Sequence, residues 1–313
     1  MLPSTDPLIR KLRPKIMRQN QSIIFEFILL GFQEKPEVDV VLFILFLLLY
    51  ASTLVGNFLI LAVICSNSTL HSPMYFFIAN FSSLEVLLTS SVIPKILVSI
   101  CTTYKAISYL GCLLQSFFYF SFGSTELLIM AIMSIDRYIA ICKPLQYSTI
   151  MNHYMCACLG ISCWCTGFIL ILLPAILMFQ MKFCNSNIIN HFFCDSKPLL
   201  RLSCTDSSII ATINFVISTV IVLSSLMTVL FTYIHIIVTI VRMSSVTGRQ
   251  KSFSTCVSHL MLVALAYGGT IFIYVVPNQR YALDKNKSVA VLNIFVTPVI
   301  SPFIFTLRNK NFS

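Results

Sequence analysis

The sequence predicts an all-α membrane protein, a bundle of seven transmembrane helices. Three observations predict it. Of the 313 residues, 57% are apolar and only 10% charged, a composition outside the usual range of soluble domains. Seven apolar runs are long enough to cross a hydrocarbon core about 30 Å thick, which takes roughly 20 helical residues. Gly and Pro recur inside the runs, in LVGN, SVIPK, LLPA and TPVISP, as happens where neighbouring helices re-satisfy freed backbone groups. That pattern favours helices over barrel strands.

Residues 1–38 read as an N-terminal segment outside the bilayer, 39–307 as the bundle and 308–313 as a short tail. The first apolar run is too long, and begins too far from Met1, for a cleavable signal-peptide core; the first helix serves as its own signal. Before it, Asn20-Gln21-Ser22 forms a glycosylation triplet, used only on a lumenal or outer face. Similar triplets begin at Asn67, Asn80, Asn286 and Asn311, the first two where the helices leave no room for a glycan. The seven runs lie near 39–64, 74–98, 112–135, 155–179, 208–241, 255–276 and 288–307, each flanked by polar or charged residues. Only the connection after the fourth is long, and a loop of that length has a function or a disulfide to hold it. The connection between the fifth and sixth carries Arg242, Arg249 and Lys251 and no acid.

With the N-terminus outside, fourteen of the 21 Lys and Arg fall in outer segments and seven inside, against the positive-inside tendency. Four of the outer ones precede Met17, an alternative start. The net charge of +10 belongs to loops and membrane contact and implies no nucleic-acid partner. Cysteine placement speaks more clearly about sidedness. Cys156, Cys158, Cys163 and Cys165 lie in the apolar fourth run and read as small buried hydrophobes. Cys184, Cys194 and Cys204 are spaced ten apart in the long loop, and Cys112 begins the third run. Four thiols gathered on one face suit two disulfides, which places that face in an oxidising compartment; three pairings are open. His191, Cys194 and Asp195 in HFFCD are also residues of metal-ligating type, a reading that needs a free Cys194 thiolate. No HExxH or comparable enzyme motif occurs, and neither the repeats of transporters nor pore-lining charges are present. No cofactor is expected.

Phe27 to Lys310 then carries an ordered set of short motifs: FILLGF (27–32), GN (56–57), PMYFF (73–77), PK (94–95), MSIDRYIAICKPLQY (133–147), HFFCD (191–195), LSC (202–204), KSFSTCVSHL (251–260) and SPFIFTLRNK (301–310). Taken together they resemble the olfactory receptors, rhodopsin-like seven-helix receptors coupled to heterotrimeric G proteins. The resemblance implies a multi-pass protein of the plasma membrane with its N-terminus outside and its C-terminus in the cytoplasm. It also implies disulfides Cys112–Cys194 and Cys184–Cys204 that hold the long loop as a lid. The ligand it implies is a small volatile odorant, and the partner a stimulatory G protein of the olfactory type that raises cyclic AMP.

The same resemblance places Asp136, Arg137 and Tyr138 at the cytoplasmic end of the third helix, where water and headgroups tolerate both charges. Ionisable groups at such positions are costly and often functional. The sixth helix begins RQKSF, so no carboxylate faces Arg137 across the gap; Asp136 is expected as its main partner, with Tyr233 a neutral candidate for a cross-helix latch. Deeper in the membrane, Glu85 and Glu126 are expected to share a proton or a Na⁺, helped by Asn57 and Ser301, because two close carboxylates cannot both ionise in low dielectric without a donor or cation between them. Salt-sensitive activation would follow. For the ligand pocket, residues 8 to 15 positions after Cys112 lie roughly 12 to 22 Å inward at helical rise; they include Phe120, Gly123, Ser124 and Leu127. Opposite stand Tyr267, Ile271 and Tyr274 of the sixth helix. Tyr119 occupies the place where amine receptors of the wider superfamily carry an acid, so the pocket is expected to be apolar with a few hydroxyls. Ile135, Ser301 and Phe305 depart from the family pattern, and the tail ends before the usual amphipathic helix. Together these departures define an alternative, a receptor remnant that folds but signals poorly.

Overall fold

A computed structural model describes residues 25–31, 36–102, 104–183, 186–275 and 289–307. Asn20, Cys184, Asn286, Asn311 and the tail lie outside the described residues. Six helices are long and apolar enough to cross a membrane, and a shorter apolar helical stretch covers Val289–Phe305. The first helix, Pro36–Ser66, is apolar all round, as befits a segment surrounded by lipid. It turns Val41, Leu48 and Leu59 outward and buries Thr53, Asn57 and Ile60. The second, Pro73–Cys101, starts with Pro at its first turn, where the missing N–H costs nothing.

The third helix, Tyr109–Cys142, is capped by the Ser108 hydroxyl, which accepts from the Gly111 N–H at 3.1 Å. It packs against the second, fourth, fifth and sixth helices and forms the axis of the bundle. The fourth, His153–Phe179, is capped by Asn152 and approaches the third closely at Gly167. A Cβ there would stand 2.1 Å from Thr125 Oγ1 and 3.0 Å from the Thr125 backbone nitrogen. Small residues at such crossings are how membrane helices maximise packing without a hydrophobic drive between them. The fifth spans Ser208–Arg242. The sixth, Val246–Thr270, widens into a π turn over Ile271–Val275, and the seventh has a π turn over Leu292–Val296 before Thr297–Leu307.

The helices differ from the apolar runs in extent. The third continues to Cys142 past the charged pair, and the sixth begins at Val246 in a polar stretch capped by Ser245. Hydropathy marks where lipid ends, whereas the backbone stays helical as long as its own hydrogen bonds are made.

No strand was expected, yet a small sheet closes one end of the bundle. Its centre is β1 (Glu26–Leu29), antiparallel to β2 (Ala106–Ser108) and parallel to β3 (Ile188–Ile189). Gly31 follows β1 with φ of 61°, a left-handed conformation open to glycine. Phe27, Leu29, Ile189 and Leu199 pack with Cys112 and Cys194 into a second core at this end.

Candidate functional site

At the sheet end, Cys112 and Cys194 form a disulfide with Cα atoms 5.4 Å apart, the pairing expected from the resemblance. Cys204 is also disulfide-bonded. The loop is tied down further by Gln115: its Oε1 accepts from the Cys194 N–H at 3.1 Å and its Nε2 donates to the Ser91 carbonyl at 3.0 Å. With its sulfur in a disulfide, Cys194 has no thiolate for a metal. Among the described residues no group of three His, Cys, Asp or Glu could hold one. Asp195 instead caps a short helix, Ser196–Leu200, accepting from the Lys197 N–H at 3.0 Å. The Lys197 ammonium donates to the Ile273 carbonyl at 2.5 Å, within the π turn of the sixth helix, and lies 5.6 Å from the centre of the Tyr274 ring. Burial pushes that ammonium's pKa down, while the nearby Asp195 opposes the shift.

Beneath this lid is a cavity with about 770 Å³ of space, its open mouth included. Tyr119, Phe120, Gly123, Ser124, Leu127 and Tyr274 line it. Phe193 of the lid, fully buried, meets Tyr119 with ring centres 4.7 Å apart, and Phe120 meets Tyr274 edge-on at 5.5 Å. Tyr267 and Ile271 are not among the lining residues. The Tyr267 hydroxyl is turned to the Leu127 carbonyl at 3.3 Å, tying the sixth helix to the third, and Ile271 packs at the edge of the core. The reading of the sequence missed the walls supplied by the fifth and seventh helices, Ser218 and Ile221 on one side and Asn293 and Thr297 on the other. Glu126, expected to pair with Glu85, also lines this cavity and lies near enough to Glu85 to act on it electrostatically.

Deeper, Glu85, Asn57 and Ser301 are fully buried. The Ser301 hydroxyl donates to Glu85 Oε2, and the Asn57 amide donates to the Thr53 carbonyl at 3.0 Å. Glu85 Oε1 and Asn57 Oδ1 have no donor. Two buried acceptors of this kind are chemically suited to a proton or to a hard cation such as Na⁺.

At the opposite end from the lid, Arg137 Nη2 lies 2.9 Å from Asp136 Oδ2, the one ion pair among the described residues. Asp136 is 1% exposed. Its other oxygen accepts from the Tyr147 hydroxyl at 2.8 Å. Tyr147 begins a short helix, Tyr147–Ile150, between the third and fourth. Burial, and after it the Asp136 charge, pushes its pKa up, so the hydroxyl stays a donor. Tyr147 stood in the KPLQY motif without an assigned role, because nothing local marks a contact across a turn. Tyr138 packs edge-on to His235 of the fifth helix at 5.9 Å. The Tyr233 hydroxyl is 2.8 Å from His259 Nδ1, joining the fifth helix to the sixth, and the two rings stack.

A bundle of membrane helices with a disulfide-held lid, a central cavity and an Asp-Arg pair at the far end defines a seven-helix receptor. Comparison with known proteins agrees. The family model described as Olfactory receptor matches residues 46–313. Olfactory receptor 6J1 of Homo sapiens is 47% identical over 286 residues, 91% of this chain and 82% of its own. Olfactory receptor 6E1 of Mus musculus is 47% identical over 292 residues, 93% of each chain, and Olfactory receptor 6C75 of Homo sapiens is 44% identical over 292 residues, 93% of this chain and 94% of its own. The chain belongs to the olfactory receptor family of rhodopsin-like G protein-coupled receptors, multi-pass proteins of the plasma membrane and not enzymes. Membership implies odorant ligands, coupling to a G protein and a bilayer around the helices.

Proposed function

We propose that this receptor binds a small, mostly apolar volatile molecule in the cavity beneath the lid and activates a stimulatory G protein of the olfactory type, raising cyclic AMP. The observation that carries the reading is the cavity itself, walled by Phe120, Leu127, Ile221 and Tyr274 with a few polar groups between them. Such a lining suits a ligand with one or two hydrogen-bonding groups. In this reading the lid faces outward with the N-terminus and the Arg137 end faces the cytoplasm. Ligand favours one of two bundle arrangements by its differential affinity, and the favoured arrangement opens a cleft that holds Arg137. Glu85 and Glu126, helped by Asn57 and Ser301, share a proton or a Na⁺ that biases the same equilibrium, so activation depends on salt; the support for it is the unmatched acceptors of Glu85 and Asn57 and the electrostatic action of Glu126 on Glu85.

The test is a cyclic AMP screen against chemically varied odorants in cells that display the receptor, with Arg137→Ala at equal surface density. Responses should appear in the wild type and vanish in the variant. A response that survives in Arg137→Ala removes that residue from the coupling step.

A further inference from the structure

We infer that this receptor selects ketones and aldehydes, the Asn214 amide donating an N–H to the ligand's carbonyl oxygen in a side chamber between the third, fourth and fifth helices. The inference rests on the odorant-receptor reading above and narrows it to a ligand class.

The chamber lies beside the central cavity and offers about 490 Å³ of space, its opening included. Phe117 of the third helix, Pro174, Ala175 and Met178 of the fourth and Ile217 of the fifth make its wall mostly apolar. Phe120 and Ser218 line both spaces, so a ligand beside them can keep an apolar body in one and a polar group in the other. Asn214 stands about two turns into the fifth helix and lines the chamber. Its neighbours Phe215 and Val216 are turned outward, as lipid-facing residues are. Asn214 Nδ2 is buried and meets no acceptor among the described residues. An orphaned donor is costly in a membrane interior, where no bulk water replaces the missing partner.

Other amides of the bundle find partners. Asn57 and Asn80 donate to the carbonyls one turn back, those of Thr53 and Phe76, at 3.0 and 2.9 Å. Asn293, which borders the central cavity, donates to Thr270 Oγ1 at 3.4 Å. Asn214 Nδ2 makes neither kind of bond, and its donor is left for a ligand. The terminal torsion of an asparagine is broad, so the amide can turn an N–H toward whatever fills the chamber. A carbonyl oxygen accepts and brings no donor of its own. It therefore satisfies the amide without adding a polar hydrogen that the apolar walls would have to match, as a ligand hydroxyl would.

The experiment uses straight-chain, branched and cyclic ketones and aldehydes on cells displaying the receptor at measured surface density. Each is paired with the analogue in which a methylidene group replaces the carbonyl oxygen, so that shape is kept and the acceptor lost. In the wild type, carbonyl compounds should give half-maximal cyclic AMP responses at concentrations at least about tenfold below their analogues, since a site built to bond a polar group rejects the analogue that lacks it. Asn214→Leu keeps the bulk of the side chain, removes the donor, and should bring each pair together. Ala175→Phe, which crowds the chamber from the fourth helix, should do the same. The inference fails if the analogues match their carbonyl compounds in the wild type, if either displayed variant keeps the full preference, or if the displayed wild type ignores every ketone and aldehyde. Should one variant not reach the surface, the other and the paired series on the wild type still decide. Wild-type responses to other odorants would leave the receptor reading standing while this one falls, and silence to all odorants would remove both.

Discussion

Asp136 is a buried carboxylate with two partners, and each of its oxygens is matched. Breaking a hydrogen bond to a charged group costs about 1.5–3 kcal/mol, so Tyr147→Phe should lower the thermal midpoint of the purified receptor measurably. The same substitution frees one side of the Asp136–Arg137 pair, and the expected second effect is higher cyclic AMP without ligand; an unchanged midpoint together with an unchanged basal signal would refute the role given to Tyr147. The sequence made Asp136 and Arg137 legible because two adjacent charges break an apolar run, whereas a lone tyrosine eleven positions later carries no such mark. The same contrast holds in the cavity. Tyr119, Phe120 and Tyr274 could be placed by helical rise from Cys112 and by family resemblance. Which tyrosine faces the ligand and which bonds to a backbone carbonyl, as Tyr267 does to Leu127, depends on how two helices meet, and one sequence does not encode that locally.

Helix extents and helix contacts were legible to different degrees. Apolar runs located every crossing, but they ended the third helix at the charged pair and began the sixth after its polar first turns, because hydropathy reads the solvent and not the backbone. Contacts are the harder part, and Gly167 shows why: its importance comes from Thr125 on another helix. Gly167→Val should push the third and fourth helices apart at a cost of about 1–3 kcal/mol and sharply reduce surface expression in flow cytometry, while Gly268→Ala, with nothing within 4 Å of the added Cβ, should not. The lid helix offers a pH test. Burial lowers the Lys197 pKa in the folded state, so the unfolded chain holds that proton more tightly and stability rises with pH as the ammonium titrates, up to the ordinary lysine value of about 10.4. The difference in thermal midpoint between wild type and Lys197→Met should therefore move in favour of the wild type as pH is raised from neutral toward that value.

Seven membrane-crossing segments and their family were readable from composition, run length and the ordered motifs. The sheet was not, because β1 is four residues long and pairs with segments about 80 and 160 positions away, Phe27 with Ile107 and Ile28 with Ile188; nothing local distinguishes such strands from loop. The Cys112–Cys194 bridge lies beside that sheet and spans 82 residues. Its removal by Cys194→Ser should cost about 2–5 kcal/mol and abolish surface display at 37 °C while a mild reductant has a graded effect on the wild type. The order of strands carries one more consequence. Since β1 is flanked on both sides, β2 and β3 meet only through it. The stretch ahead of the first crossing thus acts as a keystone for the arch above the cavity, and a receptor severed between Gly31 and Pro36 would keep its roof only for as long as that short peptide stayed wedged in place.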